Sequence, residues 1–218
     1  MNTVSAILFD MDGVMVDNNA YHTEAWIEFG KRYNIPITAA DINTLFGQTN
    51  REILKFFFQR DLDDKVIHIM AEEKEQIYRN RYVKKITPAP GLVSLLEAIR
   101  RMGIKTAVAT SGPAANLQFV LRHTGLAGYF QATVDDTQVS RGKPDPEVFL
   151  KAALALHAEP SRCIVFEDSV FGVEAAIAAG MKVVAITTTY TKEQLSKAHR
   201  IIRSFAEITV QQLQDLMA

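Results

Sequence analysis

Short apolar runs and helix-spaced apolar positions alternate along most of the chain. Ala6–Phe9, Ile104–Ala109, Phe130–Val134, Cys163–Phe166 and Val183–Ile186 are brief and β-rich, as strands buried in a parallel sheet are. Leu92, Leu95, Leu96 and Ile99 recur at the spacing of one helix face. So do Leu117, Val120 and Leu121, and then Phe149, Ala152, Ala153 and Leu156. Gly103, Gly125 and Gly180 stand where these helices should stop. Strand–helix–strand alternation of this kind predicts an α/β fold, a parallel sheet with helices on both faces.

From Asp17 to Thr87 the pattern changes and reads as helix throughout. Ala25, Trp26, Phe29 and Tyr33 form one stripe; Ile53, Leu54 and Phe57 a second; Val66, Ile69, Met70 and Ile77 a third. Thr49 and Glu52 have capping-box spacing ahead of the second stripe. Pro88-Ala89-Pro90-Gly91 closes the segment with residues unsuited to a helix interior. The expected organisation is an α/β core over residues 1–16 and 87–218, with a helical insert over 17–86.

Composition narrows the class. A hydrophobic fraction of 48% in 218 residues suffices for a large core. Lys and Arg total 24 against 25 Asp and Glu, so no basic surplus points to nucleic acid. The single cysteine, Cys163, permits no internal disulfide, which fits a reducing compartment. No basic leader precedes the first strand, and no apolar run approaches the ~18 residues of a membrane span. The expectation is a cytoplasmic protein with no nucleic-acid or membrane partner, a monomer or weak dimer.

Candidate chemistry sits where the apolar runs end. Ile7-Leu8-Phe9-Asp10-Met11-Asp12-Gly13 ends a strand in two carboxylates at i and i+2, which point to one side. Ligands of open parallel sheets bind at such carboxyl ends. Thr110-Ser111-Gly112 ends another strand with hydroxyls and free N–H groups that suit phosphate oxygens. Lys143 stands in the rigid turn Gly142-Lys143-Pro144-Asp145-Pro146, and Glu167-Asp168-Ser169 follows a further strand. Each alone has an ordinary explanation as a solvated acid, a helix cap or a surface lysine. Together they make sense around a metal and a phosphoryl group, because a hard cation such as Mg²⁺ takes oxygen ligands and a substrate phosphate.

Those four motifs, in that order, resemble the haloacid dehalogenase superfamily, and more narrowly its β-phosphoglucomutase-like phosphatases with an α-helical cap. Phe166-Glu167-Asp168-Ser169, Gly172-Val173 and Tyr21-His22 with Ala25-Trp26 are similar to that group. The resemblance implies a Rossmann-like core and a Mg²⁺-dependent phosphatase acting on a small phosphorylated metabolite, with a sugar phosphate the expected substrate. It implies Asp10 as nucleophile through an aspartyl phosphate, and Asp12 as the acid and base. Lys143, Thr110, Ser111 and Gly112 would bind the transferring oxygens. Asp10, Asp168 and the Asp12 carbonyl would hold the metal, with Glu167 acting through water or from behind. An aspartate at position 12 argues for phosphate esters over carbon–halogen bonds. Asp17, Asn18 and Asn19 fall at the expected hinge, though Asp17 would equally cap a helix.

Within the insert, His22, Thr49, Arg51 and Arg79 are the polar residues expected to face substrate, with Asn116 near the second motif. Mutases of the group carry a cap lysine that aligns here with Tyr78, and a lysine after the second motif that aligns with Pro113. Arg79 or Asn116 stand as substitutes. These departures favour a phosphatase over the alternative, a β-phosphoglucomutase. A non-catalytic phosphate-binding module is the remote alternative, since such a module has no need of Asp10, Asp12, Lys143 and Asp168 together.

Overall fold

The computed structural model describes residues 3–217. In chain order the elements are β1 (Ala6–Phe9), α1 (Asn19–Arg32), α2 (Ala39–Asn43), α3 (Asn50–Phe58), α4 (Asp64–Tyr82), α5 (Leu92–Arg101) and β2 (Lys105–Ala109). They continue with α6 (Ala114–Thr124), β3 (Ala132–Val134), α7 (Glu147–Ala155), β4 (Cys163–Glu167), α8 (Val170–Ala178), β5 (Lys182–Ile186), β6 (Arg200–Ile202) and α9 (Val210–Asp215). The strands form one sheet in the order β3-β2-β1-β4-β5-β6, with every neighbouring pair parallel. Helices α1–α4 fall between β1 and β2.

Alternation along the central strand explains why helices cover both faces. Ile7 and Phe9 of β1 pack into one apolar cluster with α5 and α9, while Ala6 and Leu8 pack into another with α7 and α8. All four residues are fully buried, and each large side chain so buried contributes roughly 1.5–3 kcal/mol. Phe9 stacks on Phe166 of β4 at 5.0 Å between ring centroids. This ties the two strands whose ends carry acids.

Strand ends agree with the apolar runs to within two residues. The strand absent from the sequence reading is β6, three residues at the sheet edge with only Ile201 and Ile202 apolar. α3 begins as its sequence signal indicates: Thr49 accepts from Glu52 N, and Glu52 returns a carboxylate to Thr49 N. α1 starts differently, since Asn18 occupies the N-cap but makes no side-chain cap bond. Its amide is engaged elsewhere.

Candidate active site

Because β1 lies between β2 and β4 in parallel register, Phe9 stands opposite both Val108 and Phe166. Asp10, Thr110 and Asp168, the first residues past β1, β2 and β4, therefore leave the sheet at one edge. Asp10 N donates to Phe166 O at 3.0 Å, and Thr110 N to Val134 O at 2.9 Å, so the first residue past each strand stays fixed. Lys143, from the turn before α7, is 1% exposed. Its Nζ donates to Asp10 Oδ1 and Glu167 Oε1, both at 2.5 Å.

Glu167 is saturated. Its Oε2 accepts from the backbone N–H groups of Asp168 and Ser169, each at 2.8 Å, and from Ser169 Oγ at 2.9 Å. It thus holds Lys143 and the start of α8 from behind. A Cβ on Gly172 would sit 1.8 Å from Glu167 Oε1, so only glycine leaves room for that carboxylate. Asp168 faces the cavity, and its Oδ2 accepts from Asn19 Nδ2 at 3.3 Å and from Thr189 Oγ1. Gly13 turns beside it with φ +75, where a Cβ would meet Asp168 Oδ2 at 1.9 Å. The left-handed backbone and the close approach both require glycine.

Negative charge is in excess here. Burial pushes the Asp10 carboxyl well above its ordinary range; Lys143 pulls it back, while Glu167, Asp168 and Asp12 push it up again. Asp168 is raised to about 8, first by burial and then by Glu167. Lys143 keeps its proton: burial works against the charge, but the Asp10 and Glu167 carboxylates outweigh it. One buried ammonium among these acids leaves a deficit of positive charge.

The helical insert closes the cavity from the other side. Ser111 Oγ donates to Gly47 O at 2.8 Å, joining the β2 loop to the loop before α3. Asn18 Nδ2 donates to Asp12 Oδ1 at 2.6 Å and to the Tyr78 hydroxyl at 2.7 Å. His22 stacks on Tyr78 at 3.8 Å, with Nε2 3.5 Å from Asp12 Oδ1 and Nδ1 3.0 Å from Lys74 Nζ. Lys74 also bonds Glu75 at 2.7 Å. The cavity is small, about 70 Å³, with Asp10, Asp12, Thr110, Ser111, Gly112 and Asp168 on the core side. His22, Trp26, Asn50, Lys74 and Glu75 are among its cap residues.

The model of the haloacid dehalogenase-like hydrolase family matches residues 4–180. The chain belongs to that family. It is a haloacid dehalogenase-like hydrolase of the β-phosphoglucomutase-like group, which carries a helical cap where α1–α4 stand. It is 32% identical over 182 residues to the fructose-1-phosphate phosphatase YqaB of Escherichia coli K12, covering 84% of this chain and 96% of the relative. It is 30% identical over 221 residues to the β-phosphoglucomutase of Bacillus subtilis, covering 97% and 95%. The crystal structure of β-phosphoglucomutase from Clostridium difficile superposes with a TM-score of 0.89 at 28% identity, covering 98% and 97%.

In this hydrolase the cap differs most from the sequence reading. Arg51 points outward: its side chain is 56% exposed and pairs with Asp64 at 2.8 Å. It lines a second cleft and not the Asp10 cavity, while its neighbour Asn50 is buried and lines both. Thr49 spends its side chain on the α3 cap. Arg79 donates to Asn116 Oδ1 at 2.9 Å, and Asn116 donates to Glu75 Oε2 at 2.7 Å, so both stand behind Glu75. Tyr78 aligns with the cap lysine of mutases, yet a lysine does reach the cavity from the cap, and it is Lys74. Lys74 and Tyr78 lie one helical turn apart on the same face of α4, which is why an alignment at Tyr78 misses it. The stripe expected through Val66 and Ile69 is exposed, and the buried face runs instead through Ile67, Lys74 and Tyr78; one lysine within that face was the signal available. Thr189, three residues past the end of β5, was also missed.

Proposed function

We propose that this hydrolase is a Mg²⁺-dependent phosphatase of a small phosphorylated metabolite, a sugar or polyol phosphate, working through an aspartyl phosphate on Asp10. The observation that carries the reading is Asp10 held by buried Lys143 and facing the same cavity as Asp12, Thr110 and Ser111. Lys143 engages one Asp10 oxygen, so the other can be offered in line to phosphorus. A new O–P bond forms as the ester P–O bond breaks, and Asp12 gives its proton to the departing oxygen. Asp12 then takes a proton from water as water attacks the aspartyl phosphate, releasing phosphate and restoring both acids. Thr110, Ser111 and Gly112 receive the transferring oxygens. Positioned charges and donors of this kind supply most of the acceleration in phosphoryl transfer.

The donor set fits magnesium. Among the described residues no three His, Cys, Asp or Glu side chains already converge as a cation site. Magnesium needs fewer, because it keeps several waters and a substrate phosphate in its shell. Asp10, Asp168 and the Asp12 carbonyl would hold it: Asp10 and Asp168 are buried carboxylates on one cavity, with Lys143 already bonded to Asp10 and Glu167. Once bound, the cation would offset charge on the nucleophile and on the transferring oxygens. Glu167 would act only through Lys143 and the start of α8.

The mutase reading is second, and Lys74 is the observation in its favour. The first experiment is phosphate release from p-nitrophenyl phosphate with Mg²⁺ and then with chelator. Release that requires Mg²⁺ is expected. Undiminished release in chelator would overturn the metal assignment, and no release in Mg²⁺ would favour a non-catalytic module.

A further inference from the structure

The cap end of the cavity carries a buried ion pair that the chemical steps leave unused. Lys74 and Glu75 are each 2% exposed, and both line the cavity. Glu75 Oε1 accepts from Lys74 Nζ at 2.7 Å and from Asn50 Nδ2 at 2.8 Å, while Oε2 accepts from Asn116 at 2.7 Å. Glu75 is ionised and held down to about 2: burial opposes its charge, but the Lys74 ammonium beside it and hydrogen bonds from Lys74 and Asn116 prevail. A carboxylate offers about two lone pairs per oxygen, so Oε2 retains room for a donor. An ammonium has three protons. Lys74 directs two of them at Glu75 and His22 Nδ1, which leaves one.

Among the described residues lining this cavity, Lys74 is the one lysine or arginine, and Glu75 already balances it. A second phosphate at this end would meet a buried carboxylate with no uncompensated cation to hold it, a costly arrangement in a desolvated site. A hydroxyl fits instead, since one oxygen can accept from Lys74 while its proton goes to Glu75. Trp26, Ile42 and Leu45 supply apolar wall for the carbon faces of a polyol.

We infer that Glu75 determines specificity: with Lys74 and Asn50 it binds neutral hydroxyls at the distal end of the leaving group and rejects a second anionic group there. This rests on the phosphatase reading above. The substrate class is therefore a neutral polyol or sugar monophosphate, and bisphosphates and phosphorylated sugar acids are excluded.

Three open-chain six-carbon probes test it: sorbitol 6-phosphate, 6-phosphogluconate and sorbitol 1,6-bisphosphate, with p-nitrophenyl phosphate as a reference for the chemistry. Wild type should prefer the neutral probe over either anionic one by at least ~10-fold in kcat/KM. In Glu75→Gln the preference over the bisphosphate should shrink by at least ~10-fold, because the repelling charge is gone while the shape remains. A purely structural role would slow all probes together and leave the ratios unmoved, which overturns the inference. So does equal wild-type turnover of the three probes, a result that does not depend on how the variant folds. Failure on p-nitrophenyl phosphate as well would instead overturn the phosphatase reading itself.

Discussion

At the scale of single residues, Asp10 is costly for the fold and indispensable for the proposed chemistry. It is buried beside three other acids, with Lys143 as its one close cation. Asp10→Asn keeps the shape and removes both the attacking anion and the surplus charge. Turnover should fall by a factor on the order of 10³ or more, while the melting temperature without metal should not drop. Lys143 keeps its partner Glu167 in the variant, so no buried ammonium is stranded. Steady-state phosphate release and a thermal melt check both halves, and activity above a tenth of wild type would end the covalent mechanism. The core-side acids were legible in the sequence because a strand end fixes where its next residue goes. Side chains on the cap helices were not. Asn50 and Arg51 are adjacent in sequence, yet about 100° apart around a helix, so one is buried in the cavity and the other reaches solvent.

At the scale of elements, Glu75 joins four helices. From α4 it accepts from Asn50 of α3 and Asn116 of α6, and Lys74 links it to His22 of α1. Its folded pKa of about 2 lies below the ordinary 4.5. A depressed carboxyl contributes stability that is complete above the unfolded value and is lost as pH falls through the folded one. At ~1.4 kcal/mol per pKa unit the full contribution is on the order of 3 kcal/mol. The stability gap between wild type and Glu75→Gln in urea should therefore be widest above pH 5 and narrow steadily toward pH 3. Parallel curves across that range would show that Glu75 is not held ionised by its neighbours. The stripes of α1, α3 and α6 were legible from periodicity, but that of α4 was not, since Val66 and Ile69 are exposed and Ile67 and Tyr78 are buried. Most strands were legible, since buried parallel strands read as unbroken apolar runs. β6 was not, because three residues with two apolar positions fall below any period. The network itself was also illegible: whether a charged residue within an apolar stripe is buried depends on what packs against it.

At the scale of the whole molecule, the relation between cap and core decides which acceptor takes the phosphoryl group. A cavity of about 70 Å³ is far below the roughly 300–1,000 Å³ of ligand pockets. On the proposed function, the cap would open to admit substrate and close again through contacts such as Ser111 to Gly47. A mutase needs its aspartyl phosphate to survive while one sugar phosphate turns round or is exchanged. Closure must then be tied to a second phosphate gripped by the cap. Here Lys74 reaches the cavity, but Glu75 neutralises it, Arg51 faces solvent, and Pro113 stands where the second motif would offer another cation. On the proposed mechanism, no cation among the described cavity residues is then left to tie closure to a second phosphate, and water would reach the aspartyl phosphate whenever the cap reopens. With β-glucose 1-phosphate and a trace of the 1,6-bisphosphate, glucose 6-phosphate should form no faster than free phosphate appears. A coupled glucose 6-phosphate dehydrogenase assay beside a phosphate assay measures the two rates. Rapid glucose 6-phosphate formation with little phosphate release would reverse the ranking, and would make Lys74 and His22 the cap residues of a mutase.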